Sequence, residues 1–159
     1  MERNKQVTTA FATVFDDLVI DNELTGNEVY PIAGDLLTPE DAAIIFQKLR
    51  GVNKHWFCLN KADIVRDYLG EGEIHAGSLY VWSKGMKSNY GYDFHPPLEF
   101  HAWVAIGEGI IDVALPGVIE RGLATSDKLG SILEGREPII LAGAPLHWLQ
   151  YKSEIVRGY

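Results

Sequence analysis

At 159 residues and a net charge of −8, the chain is long enough for one domain with a real hydrophobic core, and acidic enough to disfavour nucleic acid or an anionic membrane as its main partner. Apolar residues make up 47% and charged residues 23%, the balance of a soluble globular protein, and no apolar run nears the ~20 residues of a membrane span. One cysteine excludes an internal disulfide, and with no signal peptide opening the chain the expected setting is the reducing cytoplasm.

Residues 1–6 are polar and expected to fray. Val7, Phe11, Val14, Phe15 and Leu18 then recur at helical spacing, which predicts an amphipathic helix from Val7 to Ile20. Asp21 to Asp35 carries Gly26, Asn27, Pro31 and Gly34 and reads as loop, with a short extended piece at Glu28–Ile32. Thr38-Pro39-Glu40-Asp41 is a helix start: Thr as N-cap, Pro at the first helical position, acids in the first turn. That helix points Ala42, Ile45, Phe46 and Leu49 inward and stops at Gly51.

Leu59, Ala62, Ile64, Val65, Tyr68 and Leu69 fit a second helix, ended by Gly70. Cys58 falls at or just before its N-terminus, preceded by Trp56 and Phe57. Unpaired backbone N–H groups and the helix dipole favour a thiolate there. A buried core cysteine is the commoner role for a lone cysteine, so Cys58 needs partners before it means chemistry. His55 and Cys58 have the spacing of half a zinc site, but no second close pair completes it, and no metal is expected.

Glu73 to Trp82 alternates as a strand. Ser83 to Glu99, rich in Gly, Pro, Ser and Tyr, reads as a long connection, either a binding lid with Tyr90, Tyr92, Phe94 and His95 as contact residues or, equally, a mobile loop. Phe100 to Leu115 reads as a β-hairpin. His101 and Asp112 are the ionisable side chains on one face, opposite an apolar set that includes Ala102, Val104 and Ile111. With Gly107-Glu108 at the centre of the turn, Asp112 falls opposite Trp103 and diagonal to His101, roughly 7 Å away between backbones and within side-chain reach. With Glu108-Gly109 central the separation grows to about 13 Å. The first register is expected. Pro116-Gly117 then breaks the strand, Val118 to Gly135 carries turn and cap signals with a short helix through Leu133, Pro138–Leu141 is a further strand, and Leu146–Val156 a last strand or helix. The pattern of helices first and antiparallel strands after is α+β.

Cys58 at a helix start, His101-Ala102-Trp103-Val104 on one strand and Ile110-Ile111-Asp112 on the next resemble the transglutaminase-like branch of the papain-like cysteine peptidase superfamily. The resemblance covers residues 50–116 of a single domain spanning 1–159. It implies N-terminal helices packed on an antiparallel sheet and a Cys58-His101-Asp112 triad. The implied activity is that of a cysteine-dependent amide hydrolase or acyl transferase (peptidase, deamidase or transglutaminase-like), acting on a peptide or protein amide through a thioester without a cofactor. The chain departs from the family at Phe57, where a glycine is common, and at Ala105 and Val113-Ala114, so substrate class does not carry over. The Cys58 N–H and the Asn53 side chain are candidate oxyanion donors, and Trp56 and Trp103 are candidates to bind substrate and wall the site from water, with aromatic core the commoner role of each alone. The alternative is a binding or effector domain that keeps this fold without catalysis. Arylamine N-acetyltransferases share the three residue types, but on a much longer chain.

Overall fold

Two short patterns, a capped helix and a glycine-centred turn, set the frame that brings the site together. The computed structural model describes residues 30–50, 58–83, 86–96, 98–125 and 136–157. The helix expected over Val7–Ile20, together with Asn53, His55 and Trp56, lies outside the described residues, as does the side chain of Tyr90. The elements in order are β1 (Ile32–Ala33), α1 (Pro39–Arg50), α2 (Cys58–Leu69), β2 (Glu73–Ser83), β3 (Met86–Tyr92), β4 (His101–Ile106), β5 (Gly109–Asp112), α3 (Leu115–Thr125), β6 (Ile140–Gly143) and β7 (Leu149–Arg157). The architecture is α+β. Among the described residues, no helix is long and apolar enough to cross a membrane.

Helix α1 begins where its cap predicts. Thr38 Oγ1 accepts from Asp41 N–H at 3.0 Å and Asp41 Oδ2 accepts from Thr38 N–H at 3.3 Å, a reciprocal box that satisfies two groups the helix cannot. Ala42, Ile45 and Leu49 are buried, and Phe46 packs beside them. The second helix, α2, ends at Gly70, whose φ of 71° is the left-handed conformation a side chain would resist.

Seven strands form one sheet in the order β1-β6-β5-β4-β2-β3, with β7 also on β2; every pair is antiparallel except β1 with β6. Strand β7 lines one edge of β2 from Ile74 to Val81. The other edge is shared: β4 pairs with Glu73–Gly77 and β3 with Leu79–Ser83, so those two strands lie end to end. Between them runs a short excursion, Asp93 to Phe100, pinched by paired His95 and Glu99 backbones and anchored by a Phe94 N–H bond to Ser78 Oγ at 3.1 Å.

One apolar layer joins α1 and α2 to Ile74, Ala76, Ala102, Val104 and Ile111; a second joins α3 to Leu79, Val81, Leu141 and Trp148. The sheet is therefore buried on both sides, and polar residues that point inward need partners.

Several expectations need correction. The connection expected over Ser83–Glu99 contains strand β3. Glycine and serine mask its alternation, and Gly91 fits because a Cβ there would fall 2.1 Å from the Leu79 carbonyl oxygen. The expected hairpin strand to Leu115 stops at Asp112; Val113 and Ala114 bend, and Leu115-Pro116 open α3, since proline fits a first helical turn as well as it breaks a strand. Of the extended piece expected at Glu28–Ile32, residues 28 and 29 lie outside the described residues and Ile32 opens β1; the strand expected at Pro138–Leu141 is Ile140–Gly143. Of the strand or helix expected over Leu146–Val156 the strand forms, as Leu149–Arg157.

Candidate active site

Three chemistry-bearing side chains converge where β4 begins. His101 is its first residue, Asp112 the last of β5, and Cys58 the first of α2. The hairpin turn has Gly107-Glu108 at its centre, with Ile106 opposite Gly109 and Gly107 at φ 57°. That register puts Asp112 on the diagonal from His101 on one face of the sheet. His101 Nε2 and Asp112 Oδ2 are 2.6 Å apart, both side chains almost wholly out of water. A carboxylate can only accept, so Nε2 carries the proton of this bond and Nδ1 is the nitrogen left free to face a thiol.

A buried carboxylate needs donors around it. Besides His101, Asp112 Oδ1 takes the Ala114 N–H at 3.0 Å, in the bend after β5, and Oδ2 takes the Tyr151 hydroxyl at 2.6 Å. The sheet thus holds this side chain from three directions.

Cys58 is half-buried against the α2 layer. Its Sγ lies 3.9 Å from the Phe100 carbonyl oxygen, in weak hydrogen-bond range, and within electrostatic reach of the His101 imidazole one residue on. Its backbone N–H opens the helix and stands outside the helical ladder. Burial pushes the His101 imidazole down, but the charge and hydrogen bond of Asp112, joined by the charge of Cys58, outweigh it and raise the value from 6.5 to about 10. The ring is an imidazolium at neutral pH. The Tyr151 phenol moves well above its usual 10, through burial first and the Asp112 charge second, so it remains a donor.

Aromatic rings surround the imidazole. Tyr92, at the end of β3, stacks on it at 5.7 Å and 20°, Trp103 lies at 6.1 Å and 26°, and Tyr151 at 6.1 Å and 46°. Trp103 is 3% exposed, so the residue expected against a substrate is a buried wall. Tyr92 is half-buried, and the exposed Arg121 donates to its hydroxyl at 2.6 Å. Asn53 and Trp56, and the Tyr90 side chain, lie outside the described residues.

Tyr151 escapes sequence reasoning. Alternation in Leu149–Arg157 gives its face but nothing that ties it to a carboxylate 39 residues upstream. The other histidines among the described residues are local: His95 Nδ1 lies 2.6 Å from its neighbour Phe94's carbonyl, His75 sits 3.8 Å from Glu73, and His147 is exposed. Among the described residues, no three His, Cys, Asp or Glu side chains gather closely enough to hold a metal ion. No family model, curated protein or solved structure matches this chain.

Proposed function

We propose that the protein is a cysteine-dependent amide hydrolase or acyl transferase, with a transglutaminase-like arrangement of Cys58, His101 and Asp112. One observation carries this reading: a buried imidazole bonded to a carboxylate at 2.6 Å lies within electrostatic reach of the chain's single cysteine, at the first residue of α2. A structural histidine needs no such pair of partners, whereas a nucleophile, its acid-base partner and an orienting group require this order.

In the first half-reaction the Cys58 thiolate attacks an amide carbonyl, forming a C–S bond. The Cys58 N–H faces the developing oxyanion from the helix start. As the C–N bond breaks, His101 Nδ1 gives its proton to the leaving amine, and a thioester remains on Cys58. In the second half, water or an acceptor amine attacks the thioester, gives its proton to Nδ1, and releases the thiolate. Asp112 fixes the tautomer and stabilises the imidazolium throughout without itself taking the proton.

Intact mass after incubation with an electrophilic peptide tests the proposal. A single covalent adduct on Cys58 is expected, and it disappears in His101→Ala. A folded protein that forms no adduct at Cys58 refutes the enzyme reading and leaves a binding or effector domain.

A further inference from the structure

We infer that Tyr151 is a positioning residue for the triad: its phenol shares Asp112 Oδ2 with His101 and so sets how strongly the carboxylate holds the imidazolium. The inference rests on the proposed function but is read on a different atom pair. Tyr151 OH and His101 Nε2 each lie 2.6 Å from the same oxygen, and the second oxygen is occupied by the Ala114 N–H. Two short donor bonds on one buried oxygen compete for one charge. Each draws electron density that the other would otherwise use.

The sheet is built to allow this reach. Tyr151 stands on β7 opposite Leu79, and His101 on β4 opposite Gly77, so β2 lies between them. At Gly77 a Cβ would fall 1.9 Å from the Lys152 carbonyl oxygen: the β7 backbone occupies the place a side chain would take. The register shift between Ala76 and Gly77 falls at the same point. The closeness of β7 here brings the phenol over the central strand to Asp112. The Tyr151 ring also packs edge-on against Trp103 at 4.9 Å, a contact phenylalanine would keep.

The groups facing His101 are Asp112 from β5, Cys58 from α2, Tyr92 from β3 and Tyr151 from β7. Of these, Tyr151 alone acts through the carboxylate. Removing its hydroxyl leaves Asp112 Oδ2 to His101 alone, so the imidazolium gains stability. A more acidic phenol has the opposite effect.

The test is an NMR titration of His101, with the hydrogen-bonded Nε2–H proton followed in parallel, in wild type, in Tyr151→Phe and with 3-fluorotyrosine in place of Tyr151. Tyr151→Phe is expected to lower the imidazolium dissociation constant about ten-fold, one pKa unit, and to move the Nε2–H resonance downfield. Fluorotyrosine, which keeps shape and hydrogen bond alike, should shift both in the reverse direction. Opposite displacements support the inference, because a merely structural tyrosine would not produce them. Unchanged titration and resonance in the fluorotyrosine protein overturn it, even if Tyr151→Phe proves unstable. Failure of Cys58 to form a peptide adduct refutes the proposed enzyme, while the titrations still decide the role of Tyr151.

Discussion

Replacing Asp112 by asparagine removes one charge and almost no volume, and its effect can be worked from the geometry. The carboxylate faces the imidazole at 2.6 Å with both side chains out of water. Taking about 4 Å between charge centres and an effective dielectric near 20, the lost attraction is about 4 kcal/mol, or roughly three pKa units. That agrees in size with the rise of His101 from 6.5 to about 10. The amide adds a second fault. Both Asp112 oxygens accept bonds, from His101 and Tyr151 on one and Ala114 on the other, so an amide nitrogen must face a donor wherever it turns. Such an unmade buried bond costs a further ~1–3 kcal/mol of stability. The assay is an NMR titration of the His101 imidazole. Wild type should keep its imidazolium up to about pH 10. In Asp112→Asn the transition should fall by roughly three pH units. Superimposable profiles for folded wild type and variant would refute the reasoning, since the carboxylate would then have no hold on the sulfur's partner.

Gly77→Ala should destabilise the fold by about 3 kcal/mol, because the new Cβ meets the Lys152 carbonyl oxygen at 1.9 Å; urea denaturation reads this directly, and an unchanged midpoint contradicts the packing described. His101 also makes stability depend on pH. Its folded value lies above its unfolded one, so its contribution is complete below pH 6.5 and is lost as pH rises through about 10. The melting temperature should fall across that window in wild type and much less in His101→Gln, and parallel curves would show that the imidazolium adds nothing to the fold.

Local patterns reveal the parts of this molecule that local physics decides. Thr38-Pro39 announces α1 because a cap acts within four residues, and Gly107 selects the turn that carries Asp112 to His101. Strand β3 is hidden for the opposite reason: Ser88, Gly91 and the tyrosines have a composition typical of loops, and only the edge of β2 makes them a strand. Pro116 is ambiguous within its own sequence, because the same fixed φ ends a strand and begins a helix. The pairing of Tyr151 with Asp112 depends on how β7, β2, β4 and β5 lie side by side, which no window of sequence contains.

The collinear strands β3 and β4 have a consequence for how such a protein can diversify. The segment from Asp93 to Phe100 leaves the β2 edge at Leu79 and rejoins it at Gly77, so the framework feels its two feet and not its length. Lengthening a surface segment is cheap, about 0.6 kcal/mol per doubling. Its feet are Tyr92, stacked on the imidazole, and His101 itself. Insertions and deletions at this one seam can therefore re-tailor what approaches His101 while the strands that hold His101, Asp112 and Tyr151 stay in register.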